Sequence, residues 1–276
     1  MASETENLRA IALDPSHPTP TDVGEIYDET SDSLTDMLGG YIHVGYWEDP
    51  SKQETAEVVG DRLTREVGVR LSPAQGEHIL DVGCGTGKST AQLAGIYDAQ
   101  VTGITISKQQ VEVARSQYGR KMPAGQVHFQ FADAMDLPFG DASFDGAYAI
   151  ESLVHMLDKR TALAQIAQVL RPGSRLVIAD LVSDHPCPDS PVLARYAEIF
   201  EPPLVSADDL QNLLRQAGFK VIDVTDIREN IRPSCKLFET KGLSLGGELG
   251  QKLLEIASIL EEMNELGYAL ITAERL

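Results

Sequence analysis

Basic residues are scarce: 23 Lys and Arg face 42 Asp and Glu, a formal net charge of −19 over 276 residues. Phosphate binding needs clustered cations, so this balance argues against nucleic acid and against anionic membrane surfaces. It suits a soluble protein. Cysteine is scarce too. Cys84, Cys187 and Cys235 share no ligand spacing, and their odd number fits a reducing cytoplasm. The histidines (His17, His43, His78, His128, His155 and His185) are scattered, so no metal site is expected. The N-terminus has no long apolar run, and neither a signal peptide nor a membrane span is expected. No internal repeat or extended low-complexity segment is visible.

Apolar residues make up 42% of the chain, enough for one large domain or a domain with a cap. The organising stretch is His78–Ser89, HILDVGCGTGKS. Ile79, Leu80 and Val82 read as a short buried strand, Gly83, Gly85 and Gly87 as a turn, and Lys88 onward as a helix. A strand, a glycine turn and a helix start form a nucleotide-binding βα unit. Glycine serves there because the backbone must adopt unusual angles and let a ligand approach closely.

Three ligands compete for this turn. A P-loop needs a glycine five positions before Gly87-Lys88-Ser89, where Val82 stands, so that reading fails on spacing. A dinucleotide fingerprint needs G-x-G-x-x-G and a later carboxylate. Here the pattern is G-x-G-x-G, and the second strand ends in Gly103-Ile104-Thr105-Ile106-Ser107 with no acidic residue. The third ligand is S-adenosylmethionine (SAM). LDVGCGTGKST resembles the first motif of class I SAM-dependent methyltransferases. GITISKQQV, FADAMDLPFGDASFDGAYAIESLVHM and QVLRPGSRLVIADLV resemble their later segments, so the likeness covers roughly Gly40 to Leu181. It is strongest to bacterial natural-product methyltransferases of the rebeccamycin sugar O-methyltransferase type, with tocopherol and terpenoid C-methyltransferases related.

Hydrophobic periodicity gives the element order. A loose arm to Thr21, with Pro15, Pro18 and Pro20, precedes a helical pattern over Asp22–Leu38 that Asp22 could cap. Helices follow over Gln53–Leu71, Lys88–Tyr97, Lys108–Tyr118 and Lys159–Leu170, the last stopped by Arg171-Pro172-Gly173. Strands are expected over Gln100–Ile106, Val127–Ala132, Phe144–Ile150, Arg175–Leu181, Val221–Ile227 and Tyr268–Ala273. A helix capped by Ser206 runs through Ala217, and Leu245–Leu266 is mostly helix. Strands alternating with helices imply a parallel sheet with right-handed crossovers. The expectation is a Rossmann-like α/β fold, and the resemblance makes it a seven-stranded sheet with helices on both faces and an antiparallel last strand. Residues 1–50 would form an N-terminal helical arm and 51–276 the SAM-binding core. A substrate lid would lie near 182–205 and 228–266. Any homodimer contact is expected through the arm.

The resemblance also implies site residues. Asp81 and Gly83, Gly85 and Gly87 would organise the methionine end of SAM, the product being S-adenosylhomocysteine (SAH). Thr105, Ile106 and Gln110 would meet ribose and adenine in place of the missing carboxylate. Asp133, Ala134 and Met135 match the adenine segment, and Glu151 falls near the sulfonium. Tyr41 and Tyr46, in GGYIHVGYWED, would wall the pocket.

For catalysis, His155 follows the fourth strand and Asp180 ends the fifth. A His–Asp pair at neighbouring strand ends is a sensible base for a hydroxyl acceptor, with Glu151 close by. The related sugar enzymes carry two adjacent histidines where this chain has Val154 and His155. That departure keeps C-methylation open: an alkene needs no initial base but an apolar, aromatic pocket, for which Tyr27, Tyr196, Phe200 and Phe238 are candidates. The leading expectation is methyl transfer to a small, fairly apolar specialised metabolite, with oxygen favoured over carbon. A cyclase that keeps SAM or SAH as a structural piece is the alternative of a different class, and a non-catalytic binder a further one.

Overall fold

The computed structural model describes residues 20–183, 190–200, 204–262 and 265–276. The expected loose arm through Thr19, most of the proline-rich stretch after Ser183, Cys187 and the Phe200 side chain lie outside the described residues.

The element order is α1 (Pro20–Met37), α2 (Ala56–Leu71), β1 (His78–Val82), α3 (Lys88–Tyr97), β2 (Gln100–Thr105), α4 (Lys108–Ala114), β3 (Val127–Phe131), β4 (Phe144–Ile150), α5 (Lys159–Val169) and β5 (Leu170–Ser183). Then come α6 (Pro191–Phe200), α7 (Ala207–Gln216), β6 (Phe219–Asp226), α8 (Arg228–Ile231), α9 (Cys235–Leu245), α10 (Gly247–Glu261) and β7 (Leu266–Arg275). The seven strands form one sheet in the order β3-β2-β1-β4-β5-β7-β6. β1 to β5 run parallel, while β7 is antiparallel to both β5 and β6.

Alternating strand side chains feed two cores. Ile79 and Val177 join Leu63 and Val67 of α2 and Leu93 of α3 on one face. Leu80, Leu176 and Ile178 join Leu163 and Ile166 of α5 and Leu210 and Leu214 of α7 on the other. The direction in which successive strands are added to the sheet reverses between the parallel strands β1 and β4, and in such sheets a crevice opens there at the carboxyl ends of the strands.

Local chemistry sets most boundaries. Thr55, Ser107, Asp158 and Ser206 each accept a backbone N–H from the first turn of the following helix. Three expectations need correction. Residues 20–37 form a single helix that starts at Pro20, so Asp22 lies inside its first turn; proline suits a first helical position because its missing N–H would be unpaired there anyway. Arg171-Pro172-Gly173 does not separate α5 from the fifth strand. The strand starts at Leu170, paired with Phe144, and a register shift before Gly146 takes up the irregularity. The helix expected over Leu245–Leu266 is present but shorter, Gly247–Glu261: Gly246 (φ +60°) sets its start and lets α9 and α10 fold together. Their backbones meet closely, since a Cβ on Gly242 would lie 2.8 Å from the Gly250 carbonyl oxygen. Among the described residues no helix is long and apolar enough to cross a membrane, and no cluster of acidic, His and Cys side chains could hold a metal.

Candidate active site

The strand ends of β1, β2, β3 and β4, with the α1 helix and the Gly40–His43 loop above them, line a cleft. At its base, the N–H groups of Gly83 and Cys84 both donate to the Ile104 carbonyl, at 2.9 and 2.8 Å. The turn is thereby pinned to β2. Gly83 is forced by its neighbours, because a Cβ there would stand 2.3 Å from the Ser152 Cβ. Gly85 differs: at φ +53° its nearest neighbour to an added Cβ is Ile42 at 3.4 Å, so the backbone lies bare on the cleft side. Cys84 is buried filler behind the turn, packed against Gly103.

Asp81 is buried below the turn, and its Oδ2 accepts from Thr90 at 2.6 Å and Tyr148 at 2.7 Å. Burial pushes its carboxyl up to about 6, against the pull of those two donors. Lys88, first residue of α3, is tied to the loop above: its ammonium donates to the Gly39 carbonyl at 2.6 Å and to Glu57 at 2.9 Å. It is an anchor for the Gly39–Gly40 turn, not a phosphate ligand.

Tyr41 and His43 line the cleft from that loop. The Tyr41 hydroxyl lies within hydrogen-bonding distance of the Asp61 carboxylate and of Oε1 of Gln92, on α2 and α3, to either of which it can donate. Nδ1 of His43 donates to the Val44 carbonyl at 2.8 Å, which leaves Nε2 to accept from Ser89 at 3.0 Å. Burial drives His43 down to about 4, so it is neutral. Tyr46, expected as a wall of the same pocket, does not line it. Gly45 packs its backbone on Val59, and Tyr46 is carried to α2, where its N–H meets the Val59 carbonyl and its carbonyl takes Arg62.

At the end of β2, Thr105, Ile106 and Gln110 line the cleft. Thr105 donates to Oε1 of Gln110 at 2.6 Å. After β3, Ala132, Asp133, Ala134 and Met135 line it as well, with Asp133 accepting from the Met135 N–H at 2.8 Å in a local turn. After β4, Glu151 holds φ +48°, rare for a residue with a side chain and frequent at working sites. Its Oε1 accepts from the Val44 N–H at 3.0 Å and the Tyr268 hydroxyl at 2.9 Å. Burial pushes this carboxyl up to about 8, against those donors.

His155 closes a short helical turn, Leu153–His155, and lines the cleft opposite Tyr27 of α1. Its Nε2 lies 2.7 Å from the Tyr27 hydroxyl, with the rings edge to face. Burial raises the Tyr27 phenol well above its usual range, so it stays protonated and can donate to that nitrogen. The expected His155–Asp180 pairing needs correction at this nitrogen. Asp180 does not line the cleft; its oxygens accept from the Val154 N–H at 3.0 Å and the Leu181 N–H at 2.9 Å. Its carboxylate thus holds the backbone of the turn that carries His155. Burial pushes Asp180 up to about 7, with Lys159 as its counter-charge; that lysine donates to the Met156 carbonyl of the same turn at 3.0 Å.

Two candidate pocket aromatics belong to cores instead. Tyr196 packs with Val154, Val192, Ile259 and Leu266, and Phe238 with the α2-side core; neither lines the cleft. Both sit on helices whose apolar faces are used for packing against β7 and α10, which an apolar residue type cannot announce in advance. Conversely, sequence reasoning passed over Ser31, Asp28 and Lys88. Each is an ordinary surface residue type whose role arises only when α1 or the Gly39–Gly40 turn lies on the strand ends.

Known proteins resemble this chain along most of its length. A family profile described as a methyltransferase domain matches residues 80–178. The chain is 62% identical to the O-methyltransferase resE of Aspergillus sclerotiorum, over 94% of this chain and 98% of that one. It is 36% identical to the 27-O-demethylrifamycin SV methyltransferase of Amycolatopsis mediterranei, again over 94% of this chain and 98% of the other. Among solved structures, the [4+2]-cyclase SpnF superimposes with a TM-score of 0.81 at 31% identity, over 94% of this chain and 97% of that one.

Proposed function

The chain belongs to the class I SAM-dependent methyltransferases, and from that premise we propose that it methylates a hydroxyl oxygen of a small, neutral, fairly apolar specialised metabolite. The observation that carries the reading is the continuity of one cleft from the bare backbone of Gly85 to Nε2 of His155. A cofactor bed and a base therefore share one enclosed space.

The residues present fit the cofactor. Gly85 offers a side-chain-free edge, Thr105 and Gln110 offer uncharged hydrogen-bonding groups for ribose, and Asp133 to Met135 offer a wall for adenine. Glu151 and Asp81 supply carboxyl groups for the methionine end. When bound, SAM supplies a methyl group already activated by its sulfonium charge. What the protein adds is alignment, water exclusion and proton removal. His155 takes the acceptor's hydroxyl proton at Nε2 once the acceptor displaces the Tyr27 hydroxyl that donates to that nitrogen. Asp180 and Lys159 act one step back, fixing the turn on which the imidazole stands.

Charge in the cleft supports a neutral acceptor. Among the described residues that line it, the one Lys or Arg is Lys88, already held by Gly39 and Glu57. An anionic acceptor would find no counter-charge there. The relatives bear on the acceptor atom: the Aspergillus protein is an O-methyltransferase, and the Amycolatopsis one is a 27-O-demethylrifamycin SV methyltransferase. A second reading has one specific observation behind it, the likeness to a [4+2]-cyclase.

The test is to incubate the purified protein with SAM and a panel of neutral hydroxylated polyketides, phenols and terpenoids. The expected result is the mass gain of one methyl, on oxygen by NMR, with SAH released in equal amount. A methyl found on carbon would overturn the O-methyl reading. A ring-closed product with SAM unconsumed would move the chain to the cyclase class.

A further inference from the structure

Nucleoside-binding sheets of this kind commonly hold the ribose with a carboxylate after the second strand. A carboxylate is symmetric, since either oxygen accepts. β2 here ends without one, and the group that stands in the cleft is the side-chain amide of Gln110, only 3% exposed. An amide has an accepting end and a donating end. A half-turn about its last bond would exchange the two, so a ribose site built on Gln110 needs something that decides which end faces where.

Thr105 cannot decide alone. It donates to Oε1 of Gln110 at 2.6 Å, but a hydroxyl can equally well accept. Ser31 of α1 can decide. Its hydroxyl donates to the Tyr27 carbonyl at 2.5 Å, and a carbonyl only accepts. The single hydrogen of Ser31 is thereby committed, and its oxygen is left to receive Nε2 of Gln110 at 3.0 Å. That contact turns the donating end toward α1 and the accepting end toward Thr105. It leaves one amide hydrogen, and a lone pair on Oε1, for the ligand.

A second bond from the same helix fixes the frame. Asp28 accepts from the Ser107 hydroxyl and from the Gln109 N–H at 3.2 Å, while the Ser107 oxygen accepts the Gln110 N–H at 3.0 Å. The first turn of α4 is thus bolted to α1. Contact is close: a Cβ on Gly24 of α1 would lie 2.4 Å from the Ile106 carbonyl oxygen.

We infer that Ser31 and Asp28 of the N-terminal helix are positioning residues for the cofactor, orienting the Gln110 amide toward the ribose hydroxyls that a carboxylate would otherwise hold. The inference rests on the assignment of this cleft to SAM. The helix that covers the acceptor end, through Tyr27, is then also part of the nucleoside site.

The experiment is calorimetry on the full chain with SAH and with its 2′-deoxy and 3′-deoxy ribose analogues. The wild type should prefer SAH to at least one analogue. Ser31→Ala should weaken SAH by about tenfold, in the range of one lost hydrogen bond. The same change should weaken that analogue by less than about twofold, so that discrimination collapses. Ser31→Thr, which keeps the hydroxyl, should restore it. Asp28→Asn should shift discrimination in the same direction and less. Equal losses for SAH and both analogues, or no loss, would overturn the inference, because a merely structural helix contact cannot tell a ribose hydroxyl from its absence. If Ser31→Ala does not fold, Asp28→Asn carries the same two outcomes. A wild type that binds neither SAH nor SAM would instead bring down the cleft assignment itself.

Discussion

The two ends of the cleft are built differently. The nucleoside end is assembled from contiguous segments: the turn after β1, the end of β2 with the first turn of α4, and the short loop after β3. Its bonds within the sheet are short-range or between adjacent strands, such as Gly83 and Cys84 to Ile104. The acceptor end is assembled from residues far apart in the chain, with Tyr27 set against His155 and Val44 and Tyr268 both set on Glu151. Local geometry therefore builds the cofactor's bed, with α1 adding only the orientation of Gln110, while the acceptor's surroundings depend throughout on how α1 and β7 come to lie on the sheet. That division suits an enzyme class in which one donor serves many acceptors.

The comparison can be broken hardest at the glycine turn. Gly85→Val should abolish measurable SAH binding in calorimetry, since its side chain fills the cleft and a β-branched residue resists φ +53°. Gly87→Ala should act otherwise. Its Cβ would meet Phe129 at 2.7 Å inside the core, so stability should fall by about 1–3 kcal/mol in denaturant melts. Binding lost in the second variant with stability intact would mean that the roles are reversed.

At the other end, His155→Ala should lower the methyl-transfer rate by about 10²-fold or more. Affinity for SAH should hardly change, because the loss falls on the acceptor's proton. A near-normal rate would remove His155 from the role of base. A smaller effect distinguishes the ends by pH. The Glu151 carboxyl has an ordinary value of 4.5 and is pushed up to about 8 by burial, so between the two the folded state holds an extra proton. Its stabilising contribution is full below the lower value and is lost as pH rises through the upper one. His43 acts with the opposite sign: lowered from 6.5 to about 4, its contribution is present above the former and lost as pH falls through the latter. The two slopes oppose each other up to about pH 6.5, so melting temperatures of the wild type should fall from about pH 6.5 to about pH 8, and Glu151→Gln should flatten that fall. An unchanged slope would show that other groups carry it. The smallest expectation is none at all: Tyr46→Phe, off the cleft, should leave SAH affinity within error, and a clear loss would return Tyr46 to the pocket wall.

Legibility in the sequence followed the same division. α3 and β4 begin and end where periodicity and caps put them, and the Ser107 and Ser206 caps act as expected. Gly83, Gly85, Thr105, Gln110 and Asp133 to Met135 meet in one cleft because short loops after adjacent parallel strands must converge, whereas Gly87, expected with them, does not line it and faces Phe129 in the core. Tyr196 and Phe238 were misplaced because aromatic residues announce burial and not the core they will enter. The Asp180 pairing was misread because neighbouring strand ends bring two residues near each other without saying whether a carboxylate will choose a ring or a backbone N–H.

By itself, the sequence determined the strand–turn–helix at Ile79–Tyr97 and the alternation of strands with helices. Those follow from periodicity and backbone sterics, which act over a few residues. Only the tertiary structure decided that Tyr27 meets His155, that Asp180 steadies a turn and that Ser31 orients Gln110. Those outcomes depend on the direction of single hydrogen bonds between distant elements, and a hydroxyl or an amide acquires its direction from the partners that packing brings to it.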